Sequence, residues 1–195
     1  MKYFSRLEDI LRVPLNPYEI ALPDAWGAVE TRMQTLLPQD YKLFVQKFGS
    51  GRIDNFLWIL NPFSINPYLN LEQFLLTQTC TLAELGAYGE DVPYRCFPDL
   101  AGILPFAITD NGDVLYWITA GLPNDWAVLV NEARGPEWQQ FKMPFSEFLA
   151  KVLSKEIVCG VFPDEFPSAS PLFQATSVRF GAFPDCRNRI RFFPA

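Results

Sequence analysis

Histidine is absent from this sequence of 195 residues, and cysteine is scarce. Imidazole is the base of most catalytic triads and a frequent ligand of zinc, copper and haem iron, so mechanisms and metal sites that need histidine are excluded. The four cysteines lack the close C-x-x-C spacing of zinc and redox sites, and we expect them to be small buried residues: Cys80, Cys96, Cys159 and Cys186. We predict that the protein binds no metal and no cofactor.

Long apolar runs are missing as well. The strongest run, residues 101–109, is far shorter than the ~18 residues of a membrane span and contains Gly102 and Pro105. Near the amino terminus, charged residues at Lys2, Arg6 and Glu8 precede any apolar run long enough for a signal peptide. We therefore expect a soluble, cytoplasmic protein with no membrane contact.

Basic residues are outnumbered by acidic ones, 16 to 22, which gives a net charge of -6. Residues 51–150 hold four basic and twelve acidic residues, a net charge of -8, whereas residues 174–195 hold four arginines and one aspartate, a net charge of +3. The overall charge disfavours direct binding of nucleic acid and favours a basic partner. The sequence leaves three possibilities open for the carboxyl-terminal arginines: they dock on the acidic region, they bind another acidic partner, or they do neither.

Four segments have apolar residues at helical spacing. The first runs from Asp24, a candidate N-cap, to residue 36, and the second runs from Pro38 to Phe48. The third begins after Asn70 as N-cap and continues to residue 86, and the last covers residues 145–155.

Between and after these helices the pattern is that of strands and turns. Residues 103–109 and 114–119 are joined by Asp-Asn-Gly-Asp, a strong signal for a tight hairpin, and further strands are predicted at 53–60, 127–131 and 138–142. We predict a turn at 49–51 and an exposed loop at 61–70. The expected fold is α+β, with a mainly antiparallel sheet, a meander of about four to six strands, and helices packed on one face.

From Cys159 onward prolines and phenylalanines recur, which excludes regular helix over most of this region. So many rings suit an irregular extension packed on the domain better than a free tail, because burying one ring contributes about 1.5 to 3 kcal/mol. The phenylalanines concerned are Phe162, Phe166, Phe173, Phe180, Phe183, Phe192 and Phe193.

The order of short motifs resembles the SUKH superfamily. The motifs are LPQDYK at 37–42, FGSG at 48–51, FLWI at 56–59, NPF at 61–63, FP at 97–98, GILPF at 102–106, TDNGD at 109–113 and LYW at 115–117. The similarity covers about residues 24–156. We therefore divide the chain into a SUKH-like domain at 1–158, with its core at 24–156, and a carboxyl-terminal extension at 159–195 that departs from the family pattern.

The resemblance implies a function as well as a fold. Many bacterial members are immunity proteins that neutralise a toxin delivered by neighbouring cells, often a nuclease, and fungal relatives regulate cell-wall synthesis. Neither role is catalytic. A nuclease is cationic around its cleft, so clustered carboxylates on an inhibitor favour association. The alternatives are a regulatory or scaffold protein with a native partner and, less well supported, a carboxylate-dependent hydrolase.

The candidate contact surface is taken from the acidic residues around the predicted hairpin, with two aromatic anchors. These residues are Glu90, Asp91, Asp99, Asp110, Asp113, Asp125, Trp126 and Tyr68. Asp110 and Asp113 could instead serve as an acid and base pair or hold Mg²⁺, but aspartate beside Asn-Gly commonly satisfies turn backbone groups. Trp126 could equally be a core residue, because an indole buries much apolar surface.

Overall fold

The protein was analysed as a computed structural model that describes residues 2–22 and 24–176. The helices within these ranges are α1 (Lys2–Leu11), α2 (Ala25–Met33), α3 (Gln39–Phe48), α4 (Leu71–Ala87) and α5 (Phe145–Leu153). The strands are β1 (Gly51–Ile53), β2 (Leu57–Ile59), β3 (Ile103–Thr109), β4 (Val114–Ile118), β5 (Ala127–Asn131), β6 (Trp138–Phe141) and β7 (Phe173–Ala175). A single 3-10 turn, Pro123–Asp125, precedes β5.

The seven strands form one sheet in the order β6-β5-β4-β3-β2-β1-β7, and every neighbouring pair is antiparallel. This confirms the predicted α+β class with an antiparallel sheet. Strands β1 to β6 form the meander, and β7 returns from the carboxyl-terminal region to pair with β1 at the edge. The meander thus has six strands, within the expected four to six, and the sheet has a seventh because β7, which was not foreseen, pairs with β1.

The sheet is covered on both faces. The larger core packs α1, α2, α3 and α5 against one face, where Phe106 and Trp117 meet Phe145 of α5. On the other face Tyr116 and Leu129 pack with Leu82, from the second half of α4. The predicted packing of helices on one face of the sheet therefore holds for α1, α2, α3 and α5. Helix α4 differs, because its second half packs on the opposite face.

Two of the helix starts test the predicted caps. Asn70 caps α4 as expected, since its side-chain oxygen accepts from the amides of Glu72 and Gln73, both at 3.1 Å. Asp24 does precede α2, but its side chain makes no capping hydrogen bond. Helix α1 was not predicted, although its apolar side chains at Phe4 and Leu7 are buried at helical spacing.

Three local predictions are corrected. Residues 53–60 are not one strand, because Asp54 and Asn55 both have positive φ, 54° and 56°, and turn the chain between β1 and β2. The predicted turn at 49–51 is too long by one residue, because Gly51 is the first residue of β1. The loop at 61–70 is not simply exposed, because its polar residues Asn61 and Asn66 are buried.

Part of the carboxyl-terminal region lies on the core. The rings of Phe162, Phe166 and Phe173 are buried, and Phe173 contacts Phe48 of α3 with ring centroids 5.2 Å apart. The remaining four phenylalanines of this region lie outside the described residues, and the boundary between 158 and 159 stays a prediction. The prediction that the cysteines are buried is confirmed for Cys159 and wrong for Cys80, which is exposed. Cys96 is half-buried, and Cys186 lies outside the described residues.

Candidate partner-binding groove

An open groove of about 960 Å³ lies on the face of the sheet that α4 covers. Its walls are the second half of α4 with the following segment 90–93 on one side and the β3–β4 and β5–β6 turns on the other. Leu82, Val114 and Trp138 supply apolar surface to its floor. The groove arises because β3, β4 and β5 are apolar on both faces while α4 covers only part of the second face.

Aromatic contacts and one hydrogen bond fix the floor. The ring of Trp138 lies 5.2 Å from Tyr94 and 6.0 Å from Tyr116, centroid to centroid. The amide of Gln78 on α4 donates to the Tyr116 hydroxyl at 2.8 Å. Burial raises the pKa of this phenol, so Tyr116 is a neutral, fixed group beneath the groove.

The rim carries most of the groove's charge. Glu90 and Asp91 are exposed on one wall and Glu132 is half-buried on the other, with one basic residue, Arg134, among the lining side chains. An apolar floor under a mainly acidic rim suits a ligand that combines an apolar side chain with positive charge.

The predicted acidic residues do not form one patch. Glu90 and Asp91 belong to the groove, near the end of the sheet where β3 passes into β4. Asp99 and Asp125 are exposed at the opposite end, where β3 and β5 begin, about 20 Å away given the length of β3. Asp110 is exposed in the hairpin turn and is held towards β2, because the indole N–H of Trp58 donates to its carboxylate at 2.7 Å.

Asp113 is buried, with 3% of its surface exposed. Its carboxylate accepts from the Thr109 hydroxyl at 2.7 Å and from the Ala133 amide at 3.1 Å, which ties the β3–β4 hairpin to the β5–β6 turn. The predicted place of Asp113 on a contact surface is therefore corrected: its carboxylate satisfies buried turn groups, as the alternative interpretation of this aspartate required.

Burial also removes Trp126 from an accessible surface. The residue is 3% exposed and packs beside Trp117 at a centroid distance of 6.0 Å, so it is a core residue and the prediction of an anchor is corrected. Tyr68 is half-buried in the loop before α4 and does not line the groove.

Sequence reasoning missed Glu132 and Trp138 as groove residues. The available signal was the continuous apolar character of β3, β4 and β5, which is typical of strands buried on both faces and predicts a second packed surface. Among residues 2–22 and 24–176, no group of three or more Cys, Asp or Glu side chains is arranged to hold a metal ion. No helix in these ranges is long and apolar enough to cross a membrane.

The fold and the groove define a class of small α+β domain that has an antiparallel sheet and an open, mainly acidic groove on one of its faces. A family model described as SUKH_6, SMI1-KNR4 cell-wall, matches residues 23–149, which is well over half of the chain. The chain therefore belongs to the SUKH family, and the resemblance seen in the sequence is confirmed. A comparison with curated proteins gave no match.

Proposed function

We propose that this chain is a non-enzymatic immunity protein that binds and neutralises a cognate toxin in the cytoplasm. The family match over residues 23–149 carries the proposal, since many bacterial members of this family have that role. The net charge of -8 on residues 51–150 supports the proposal, because nearly all of these residues lie within the part of the chain that the family model matches. A toxin that handles nucleic acid presents positive charge around its cleft and would be attracted by this field.

The contact surface that we propose is the groove. Its rim residues Glu90, Asp91 and Glu132 would pair with lysines or arginines of the toxin, and its floor around Trp138 would receive an apolar or aromatic side chain. Interface energy concentrates where aromatic anchors are surrounded by polar groups that exclude water, and the groove has this arrangement. Asp99 and Asp125, about 20 Å away, would contribute through long-range attraction alone.

The test is rescue of growth. In a genome where a large toxin gene lies directly upstream of this gene, that toxin is expressed in cells with the full chain, and we expect growth to be restored. Rescue should be lost with E90K/D91K and kept with D99K/D125K, a matched control that reverses two exposed carboxylates at the other end of the sheet. Western blotting checks that both variants accumulate equally. Rescue that survives E90K/D91K would contradict the groove, and no rescue by the unchanged chain would contradict immunity.

A second candidate function is regulation or scaffolding through a native partner, and the description of the matching family model favours it by naming the cell wall. The position of the gene separates the two. An immunity gene lies directly downstream of a large toxin gene, whereas an isolated locus would favour the regulatory role.

A further inference from the structure

Strand β6 lies at one edge of the sheet and pairs with β5 alone in the described part of the chain. The amide of Glu132 donates to the carbonyl oxygen of Glu137 at 3.0 Å, which places the backbone groups of Glu137 on the β5 side. Backbone groups point to alternate sides along a strand, so those of Gln139 also face β5. The N–H and C=O groups of Trp138 and Gln140 therefore face away from the sheet.

This edge of the sheet is open. Among residues 2–22 and 24–176, the outward backbone groups of Trp138 and Gln140 form no hydrogen bond. Proteins usually protect a free edge with a charge, a proline or a bulge, because it can pair with another strand. The four residues of β6 include no charge and no proline, and their pairing with β5 is regular, while the nearest charges, at Glu137 and Lys142, flank the strand. Strand β6 can therefore accept a further strand.

The open edge is continuous with the acidic groove. The side chain of Trp138 lines the groove, whereas its backbone belongs to the edge. Side chains alternate between the two faces, so Gln140 also points to the groove face and Gln139 points to the other. On that other face the Gln139 side chain accepts from the Gly160 amide at 2.8 Å. A strand added to β6 would thus place every second side chain on the groove face, beside Trp138.

Charge determines the kind of strand that fits this edge. Glu90 and Asp91 are exposed on one wall of the groove, and Glu132 and Glu137 lie at the two ends of the β5–β6 turn, next to Trp138. We propose that the partner contributes an extended segment that pairs with β6 as an added strand, with lysine or arginine and one apolar side chain on the groove face. This inference rests on the proposed function, because the segment belongs to the toxin.

A second copy of this chain fits the edge less well. Two copies paired through β6 would bring two acidic rims together, and residues 51–150 carry a net charge of -8 in each copy. Like charges at short distance oppose association. In strand addition the affinity comes from main-chain hydrogen bonds and the sequence preference from alternate side chains. Methylation of the partner's backbone therefore separates strand addition from attraction by charge alone.

The probe is the synthetic hexapeptide acetyl-Lys-Thr-Phe-Thr-Lys-Thr-amide, titrated into the isotope-labelled full chain and followed by NMR. Paired with β6, it places its two lysines and its ring on the groove face. N-methylation of the phenylalanine and the second lysine removes the N–H groups that would donate to β6, whereas N-methylation of the first two threonines blocks groups on the far side. We expect the first analogue to bind at least about tenfold more weakly than the unmethylated peptide, and the second within about threefold.

Amide exchange shows whether the peptide pairs with the edge. At saturating peptide, the amides of Trp138 and Gln140 should exchange at least about tenfold more slowly than in the free chain. The amide of Gln139, which faces β5, is the internal control and should change by less than about twofold.

A pair of variants tests the same donor from the side of the chain. Gln140→Pro removes an outward N–H that β5 does not use, a position where an edge strand tolerates proline, and should weaken peptide binding at least about fivefold. Gln140→Ala keeps the N–H and should bind within about twofold of the unchanged chain.

No binding at millimolar peptide, equal binding of the two methylated analogues, or equal protection of Trp138, Gln139 and Gln140 would each overturn the inference. A dimer of the full chain that Gln140→Pro dissociates in analytical ultracentrifugation would also overturn it, since a second copy would then occupy the edge. The peptide requires no toxin, so failure of this inference is distinguishable from failure of the proposed function, which rescue of growth tests.

Discussion

The burial of Asp113 leads to a prediction that separates a structural carboxylate from a binding one. In Asp113→Ala the Thr109 hydroxyl and the Ala133 amide both lose their acceptor in a site that is only 3% exposed. Hydrogen bonds to charged groups contribute about 1.5 to 3 kcal/mol each, and the two losses overlap, so we expect the free energy of unfolding to fall by about 3 kcal/mol. For a chain of this size that lowers Tm by roughly 6 to 12 °C.

The assay is urea unfolding followed by tryptophan fluorescence, with Asp91→Ala as matched control. Asp91 is exposed, so its removal should change the free energy of unfolding by less than about 0.5 kcal/mol. Asp113→Asn keeps an oxygen that can accept from the Ala133 amide, and we expect it to lose about half as much as Asp113→Ala. If Asp113→Ala were as stable as Asp91→Ala, the proposed tie between the two turns would be refuted.

Three further predictions concern packing and thiol chemistry. Gly49→Ala should lower the free energy of unfolding by about 2 kcal/mol or more, because φ is +68° and the new Cβ would lie 2.0 Å from the backbone oxygen of Tyr18. Thermal melting followed by circular dichroism measures the loss of stability, and an unchanged Tm would contradict the prediction. Phe173→Ala should lower the free energy of unfolding by about 3 to 5 kcal/mol in urea unfolding, since the ring is buried against α3, whereas a loss below 1 kcal/mol would show that β7 is peripheral. Burial raises the pKa of the Cys159 thiol to about 11, so at pH 8 only about one molecule in a thousand carries a thiolate at this position. Peptide mapping after treatment with iodoacetamide should therefore find the label on the exposed Cys80 and not on the buried Cys159. Labelling of Cys159 would mean that the carboxyl-terminal region opens.

The sequence was most informative where one local pattern decided the structure. Helix α3 was predicted because Tyr41 and Phe44 lie at the spacing that buries one helical face, and β3 and β4 were predicted because Asn-Gly requires a tight turn. The predicted bounds of β3 and β4, 103–109 and 114–119, differ from the observed ones by a single residue at the end of β4. In these segments the local preference and the tertiary packing agree.

The errors arose where distant parts of the chain decide the structure. β7 is a strand only because β1 offers it a free edge, and its proline-rich surroundings give no such signal. Asp113 has the same local sequence context whether its side chain points to solvent or to Ala133, twenty residues away. The groove likewise depends on α4 crossing the second face of the sheet, which no segment indicates by itself.

Where a toxin gene lies directly upstream of this gene, the affinity of the full chain for the domain of that toxin tests the central claim most directly. Isothermal titration at about 0.15 M salt, where charges more than about 8 Å apart are largely screened, compares the unchanged chain with E90K/D91K and D99K/D125K. We predict that E90K/D91K raises Kd at least about tenfold, or about 1.4 kcal/mol, and that D99K/D125K raises it by less than about threefold. An equal loss in both variants, or a larger one in D99K/D125K, would contradict the acidic groove as the partner-binding surface.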